Sequence, residues 1–241
     1  MGTTQNNVVI AGVGPGLGAA LARKFANHGC NIGLLARNES YLDQLVDEMA
    51  HDGQTALALP TDLADAVQIE SAFQQFTNTL GTVDILINHA NGSFWKSVME
   101  ISAEEFEISW RTGTLSALIC SQKVIPGMLR KGSGNIIFTG ATSAIRGRKG
   151  AVDFSSAQFA RRGLADAMAR ELWPQGIHVS HVIIDGVIDT ARVRKMYPLE
   201  ADELLMSTDD IAENYWQLVQ QGQSSWAFEI AIRPHNEAFF E

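Results

Sequence analysis

Cysteine is scarce in this chain, since only Cys30 and Cys120 occur among 241 residues. Two cysteines cannot form a disulfide framework or a cysteine-rich metal site. The six histidines are scattered without a His-Glu-x-x-His pattern, and the Gly-x-Ser-x-Gly segment of serine hydrolases is absent. These absences disfavour zinc-dependent and serine-dependent hydrolysis, and we expect no bound metal.

Positive charge and long apolar runs are also limited. The chain has 18 Lys and Arg against 27 Asp and Glu, which gives a net charge of -9, and its pI is near 5.1. Such an acidic chain is a poor partner for nucleic acid or for an anionic membrane. No apolar run is long enough to span a bilayer, and residues 1–6 lack the features of a secretory signal. We therefore expect a cytoplasmic protein that binds neither nucleic acid nor membrane.

Strand-like apolar runs alternate with helical stretches along most of the chain. Helices are predicted near residues 17–28, 39–51, 65–79, 103–130 and 155–173, and strands at Asn7–Ala11, Asn31–Ala36, Thr55–Leu59, Val83–Asn88, Asn135–Thr139 and Ile177–Ile184. Repeated βα units favour parallel strands with right-handed crossovers. The sequence therefore predicts an α/β fold, with one doubly wound domain over residues 1–241 and helices on both sides of a central parallel sheet.

A glycine-rich turn, Gly12-Val13-Gly14-Pro15-Gly16-Leu17-Gly18, joins the first strand to the first helix. Strand, turn and helix in this order bring backbone N–H groups and the positive helix N-terminus to one point, where a pyrophosphate can bind. Glycine is required where a Cβ would block that approach. The turn indicates a Rossmann-type nucleotide-binding domain, and a tight turn without a ligand is the alternative.

Two further segments concern the identity of the nucleotide. The second strand ends in Ala36-Arg37-Asn38, where folds that prefer NAD carry an acidic residue for the ribose 2′-hydroxyl. Arg37 can instead pair with a 2′-phosphate, which favours NADP over NAD, although it can also be an exposed surface residue. Asp62 follows the third strand and could accept a hydrogen bond from adenine, cap the next helix, or do both.

The order of these motifs resembles the short-chain dehydrogenase/reductase family. Gly12, Gly16 and Gly18 have the family's Gly-x-x-x-Gly-x-Gly spacing. The segment 88–91 stands where the family has Asn-Asn-Ala-Gly, and the segment 185–190 resembles the family's Pro-Gly-x-x-x-Thr. The resemblance covers roughly residues 7–190. It implies that a nicotinamide cofactor, NADP with NAD possible, is bound by Gly12, Gly16, Leu17, Gly18, Arg37, Asp62, Leu63, Asn88, Ala90, Gln158, Gly186, Ile188 and Thr190.

The chain departs from the family pattern at the catalytic positions. Phe154 and Gln158 stand where the family has Tyr-x-x-x-Lys, Gly113 stands for its Asn, and Ala141 stands for its Ser. Phe has no transferable proton, and Gln carries no charge that could lower the pKa of a neighbour. We therefore expect the standard tetrad to be lost.

A replacement proton donor would have to come from nearby residues. Ser143 is the preferred candidate, and the others are Thr142, Asp153, Ser155, Ser156, His89 and Tyr197. Most have a structural alternative: Ser155 and Ser156 can cap a helix, Asp153 can face a helix N-terminus, and His89 can be a hydrogen-bonded structural residue.

The basic residues Arg146, Arg148 and Lys149, with Arg161 and Arg162 nearby, could attract a substrate carboxylate or phosphate, but are expected to face solvent. By resemblance, residues 186–206 form a substrate lid, and residues 222–241 form a final strand and tail. In the same way we expect a homodimer or homotetramer, with Trp226 and Phe228 in an interface or the core.

Two functions follow from this sequence. The first is an oxidoreductase that transfers hydride between NADP(H) and a small carbonyl or alcohol substrate with an atypical proton donor. The second is a catalytically inactive NADP(H)-binding sensor or partner subunit. A structural subunit that binds no nucleotide is disfavoured by the retained glycine turn.

Overall fold

The computed structural model describes residues 5–196, 204–236 and 239–240. In this part of the chain, seven parallel strands form one sheet in the order β3-β2-β1-β4-β5-β6-β7. The strands are β1 Asn7–Ala11, β2 Asn31–Ala36, β3 Ala56–Pro60, β4 Ile85–Asn88, β5 Gly134–Ala141, β6 Ile177–Ile184 and β7 Glu229–Ile232. Strands β2 and β3 lie on one side of β1, and β4 to β7 lie on the other, so the strand order reverses between β1 and β4. The predicted doubly wound α/β fold is confirmed.

The helices pack on both faces of this sheet. They are α1 Leu17–Asn27, α2 Glu39–His51, α3 Ala66–Leu80, α4 Ala103–Trp110, α5 Ser116–Lys131, α6 Val152–Leu172, α7 Ala191–Met196 and α8 Thr208–Val219. Alternate residues of β1 enter different cores. Val8 and Ile10 pack with α1, α2 and α8, whereas Val9 and Ala11 pack with α3, α5 and α6. This alternation explains why a strand buried on both faces is continuously apolar.

The predicted helix over 103–130 is divided in the structure. A π-helical turn, Arg111–Leu115, separates α4 from α5, and it lies where α6 packs closest. A Cβ on Gly113 would lie 3.2 Å from the Cβ of Ala157. The Thr114 hydroxyl donates a 2.9 Å hydrogen bond to the Ala157 carbonyl. The widened turn therefore fits a close helix contact, a feature that period-3.6 analysis does not detect.

One predicted helix start and the suggested helix caps are wrong. Helix α6 begins at Val152 rather than at residue 155, so Ser155 and Ser156 lie inside the helix and do not cap it. Ser155 instead accepts a 3.0 Å hydrogen bond from the Arg148 backbone N–H. Helix α3 is capped by Asp65, which accepts from two backbone N–H groups. Asp62 lies too early to cap α3, and it accepts a 3.0 Å bond from the Ala64 N–H.

The C-terminal segment adds the predicted edge strand. Strand β7 pairs in parallel with β6, and the Trp226 ring stacks on His178 with their centroids 4.8 Å apart. After β7, Arg233 lies 3.2 Å from the buried Asp185 carboxylate. Phe240 donates its backbone N–H to the same carboxylate at 3.0 Å. These contacts join the end of the chain to the end of β6.

Two further absences apply to the described residues alone. None of the helices there combines the length and the apolarity that a membrane span needs. Over the same ranges, no three His, Cys, Asp or Glu side chains are grouped as a metal site would require.

Candidate functional site

A cleft of about 840 Å³ opens at the carboxyl ends of β1 and β4. This is the point where the strand order reverses, and open α/β sheets bind ligands there. The glycine turn forms one side, the ends of β2 and β3 form another, and the segment after β4 forms the third. The lining residues are Gly12, Val13, Gly14, Pro15, Gly16, Leu17, Gly18, Ala36, Arg37, Thr61, Asp62, Leu63, His89, Ala90, Asn91, Gly92, Ser93, Phe94, Trp95, Ile108, Thr112, Phe154, Thr190 and Arg192.

The glycine turn is packed too closely for side chains at two of its positions. Gly12 has φ +109°, and a Cβ there would lie 2.5 Å from the backbone nitrogen of Ala90. A Cβ on Gly18 would lie 2.8 Å from the Gly12 carbonyl oxygen. Helix α1 starts at Leu17, so its first N–H groups lack partners within the helix and face the cleft end. Backbone donors and the helix dipole together suit a phosphate group.

Arg37 lies on the cleft wall directly after β2. Its side chain is exposed and makes no ion pair with any residue that the structure describes. The neighbouring Asn38 is engaged in capping α2, where it accepts from the Tyr41 N–H. A free guanidinium beside a helix N-terminus suits a second phosphate, such as one on a ribose.

The four residues that stand at the family's catalytic positions have mainly structural roles. Phe154 lines the cleft and packs on Trp95, with ring centroids 5.2 Å apart. Gln158 is buried and donates a 2.7 Å hydrogen bond to Asn91. Ala141 is the last residue of β5, and Gly113 lies in the π-helical turn. The side chains at these four positions therefore offer no hydroxyl or ammonium group to a ligand.

The prediction that the arginines of this region face solvent is wrong for Arg161. Its side chain is only 1% exposed, and it donates hydrogen bonds to the carbonyls of Gly113, Thr139 and Ala90. These carbonyls belong to the π-helical turn, to β5 and to the segment after β4. Burial lowers the pKa of Arg161 to about 10, so the group stays charged near neutral pH. Arg162 also has a partner, because it pairs with Glu229.

His89 lies under the glycine turn, next to this buried cation. Its Nδ1 is 3.2 Å from the Thr139 hydroxyl. Burial, together with the charge of Arg161, lowers the pKa of His89 to about 4. His89 is therefore neutral near pH 7 and cannot serve there as an imidazolium proton donor.

The remaining proton-donor candidates that the structure describes lie outside the cleft lining. Ser143 is 4% exposed in a 3₁₀ turn, and Thr142 donates to Asp185 at 2.6 Å. Asp153 is buried and accepts from the Ser109 hydroxyl at 2.7 Å. Tyr197 falls outside the described residues. Sequence reasoning missed the hydroxyls of Ser93 and Thr112, which do line the cleft.

Most of the residues predicted to bind the cofactor line this cleft, but four do not. Asn88 is buried and donates to Ser121 at 3.2 Å, and Gln158 lies behind Asn91. Gly186 packs against Pro234 and Met206, and Ile188 forms a β-bridge with Met206. Among these contacts, only the one between Gln158 and Asn91 involves a residue that lines the cleft. In the predicted lid, the described part includes α7, and Arg194 there pairs with Asp189.

Comparison with known proteins decides the family. A family model described as "short chain dehydrogenase" matches residues 6–200. The chain belongs to this family. An uncharacterised oxidoreductase of Staphylococcus aureus (strain N315) is 25% identical over 231 residues, which cover 96% of this chain and 98% of the relative. The resemblance inferred from the motifs is thereby confirmed.

Solved structures of short-chain dehydrogenases share the fold. A short-chain dehydrogenase from Rhodopseudomonas palustris has a TM-score of 0.81 at 30% sequence identity, covering 95% of this chain and 99% of that chain. A metagenomic short-chain oxidoreductase, solved in complex with NADP, has a TM-score of 0.83 at 21% identity, covering 97% and 99%. The second similarity concerns the fold alone.

Substitutions in the glycine turn should show whether nucleotide binding needs the close packing at Gly12 and Gly18 or only the flexibility of glycine. Gly12→Ala and Gly18→Ala should lose binding of a nucleotide, because the new Cβ would displace the turn or its neighbours. Gly14→Ala is the matched control, because a Cβ there meets nothing within 4 Å. Isothermal titration with NADPH checks this. Equal affinity in all three variants would show that the turn does not hold the nucleotide.

Removing the buried Arg161 cation should destabilise the segments that its hydrogen bonds connect beside the cleft. Arg161→Met should lower the free energy of unfolding by roughly 1–3 kcal/mol, because carbonyls of three elements lose donors. The pKa of His89 should rise, because a neighbouring positive charge disappears. Urea denaturation and NMR titration of the histidines measure the two effects. An equally stable variant would mean that burying the charge costs as much as its hydrogen bonds contribute.

Proposed function

We propose that this protein is an NADP(H)-dependent oxidoreductase acting on a small carbonyl or alcohol substrate. The observation that carries the proposal is the glycine cradle with the unpaired Arg37 on the wall of the same cleft. Family membership and the oxidoreductase relative support the reaction class. The NADP complex of the metagenomic oxidoreductase supports the choice of cofactor.

The residues present fit a nicotinamide dinucleotide phosphate. Backbone N–H groups at Leu17 and Gly18 would hold the pyrophosphate, and Arg37 would bind the 2′-phosphate. Asp62 and Leu63 would border the adenine, and Thr190 and Arg192 line the cleft from within the predicted lid segment. When bound, such a cofactor donates or accepts a hydride.

With Phe154 at the family's tyrosine position, this chain would use a different proton donor. Phe154 with Trp95 provides an apolar wall, which can orient a substrate and exclude water. Among the described residues, the proton would come from a hydroxyl at the cleft, namely Ser93 or Thr112, or from Ser143 after a movement of its turn. His89 is excluded near neutral pH by its low pKa.

A second candidate function is binding of NADP(H) without catalysis, and it rests on the same residues at the catalytic positions. If no hydroxyl transfers a proton, the cleft binds NADP(H) without turnover, as a sensor or partner subunit would. The side chains of Phe154 and Gln158 favour this alternative, because neither can supply a proton or a charge. Consumption of NADPH in the presence of a carbonyl compound distinguishes the two functions.

Arg37 should determine the preference between the two cofactors. Arg37→Gln should weaken NADPH binding about tenfold or more, because a charge-assisted hydrogen bond to phosphate is lost. NADH binding should stay unchanged, since NADH lacks the 2′-phosphate. Isothermal titration measures both, with Arg130→Gln as a control at an exposed arginine outside the cleft. If both cofactors bind Arg37→Gln as they bind the wild type, Arg37 is only a surface charge.

Restoring the family's side chains should raise turnover if cofactor and substrate are placed as in the family. The double variant Phe154→Tyr with Gln158→Lys should reduce carbonyl compounds about 10²–10⁴ times faster than the wild type, the usual range of acid–base catalysis. NADPH oxidation at 340 nm measures the rate, and circular dichroism checks the fold. A folded double variant that binds NADPH but gains no rate would contradict the proposed substrate placement.

A further inference from the structure

Three aromatic side chains line one part of the cleft. Phe94, Trp95 and Phe154 line it together. Phe94 is 40% exposed and Trp95 is 51% exposed, although both are large apolar side chains. Exposed aromatic groups inside a concave site are a common feature of surfaces that bind apolar ligands.

The chain holds these aromatic rings in a defined place. The Phe94 backbone N–H donates a 2.8 Å hydrogen bond to the buried carboxylate of Asp153. The Trp95 N–H donates to the Ser93 hydroxyl at 3.3 Å. Trp95 also has φ +53°, a left-handed conformation that is unfavourable for a residue with a bulky side chain. Such local strain, held by specific bonds, is a frequent feature of functional sites.

A cation lies beside the same rings. The Arg148 guanidinium is 5.3 Å from the centroid of the Trp95 ring. The Arg148 backbone N–H donates a hydrogen bond to the Ser155 hydroxyl in the first turns of α6. The loop that carries Arg148 is therefore anchored to the helix that carries Phe154. Arg148 makes no ion pair with any residue that the structure describes. A guanidinium stacked on an aromatic ring keeps its in-plane N–H groups available for a carboxylate.

We propose that this part of the cleft binds an aromatic carboxylate, with the planar body on the Phe94, Trp95 and Phe154 rings and the carboxylate on Arg148. This rests on the proposed function and names its substrate class. An anionic group is favoured because the Arg148 guanidinium lies beside the Trp95 ring and has no carboxylate partner among the described residues. A planar apolar body is favoured because aromatic rings, rather than flexible aliphatic chains, form the wall.

Three probes of different shape and charge test the assignment on the NADPH-loaded wild type. They are 2-naphthoate, which is planar and anionic, 2-naphthol, which is planar and neutral, and cyclohexanecarboxylate, which is anionic but not planar. Isothermal titration should show that 2-naphthoate binds about tenfold or more tightly than either of the others. Equal affinities for 2-naphthoate and 2-naphthol, or for the two carboxylates, would overturn the proposal.

Variants then assign each part of the ligand to a residue. Arg148→Gln should weaken 2-naphthoate about tenfold and leave 2-naphthol unchanged, whereas Trp95→Leu should weaken both. Arg170→Gln is the matched control, because Arg170 is exposed and pairs only locally with Asp166. An Arg148→Gln variant that binds 2-naphthoate as the wild type does would also overturn the proposal.

Failure of this inference can be distinguished from failure of the proposed function. If NADPH binds but 2-naphthoate does not, the substrate class is wrong and the cofactor assignment stands. If NADPH does not bind, the proposed function fails, and titration of the free protein with the three probes still tests the aromatic site. Preferential binding of 2-naphthoate there would support the site alone, and its absence would exclude it.

Discussion

The hydrogen bonds of the buried Arg161 guanidinium are the constraint on which the site depends. One side chain of α6 connects the π-helical turn, the end of β5 and the segment after β4 through their backbone carbonyls. Each of these elements borders or supports the cleft. No carboxylate neutralises the charge among the described residues, so backbone oxygens take the role that an ion-pair partner has elsewhere. An uncharged residue there would leave these carbonyls with fewer donors.

The same cation limits the chemistry of the site. It lies beside His89 and contributes to the low pKa of that residue, and it occupies the region one helical turn beyond Gln158. Arg161 therefore links the packing of the site to its titration, because the side chain that bonds to the π-helical turn also lies beside His89.

Much of the fold was predictable from the sequence, because apolar periodicity and the glycine turn are local signals. The strands, their parallel arrangement and the cleft at the glycine turn follow from such signals. The burial of Arg161 was not predictable, since two adjacent arginines usually face solvent and only the contact between α6 and the π-helical turn buries one of them. Trp95 was missed for a similar reason. Its position depends on Asp153 holding the segment after β4, which is a long-range contact.

The cleft combines a closely packed glycine turn with an aromatic wall. A Cβ on Gly12 or Gly18 would clash with the backbone, and Phe154 packs on Trp95 in the same cleft. A crystal structure of the wild-type protein with NADPH tests this account most directly. The account predicts NADPH in the cleft, its 2′-phosphate on Arg37 and its nicotinamide ring toward Phe154. An empty cleft at saturating NADPH, or a nucleotide bound away from the glycine turn, would contradict it.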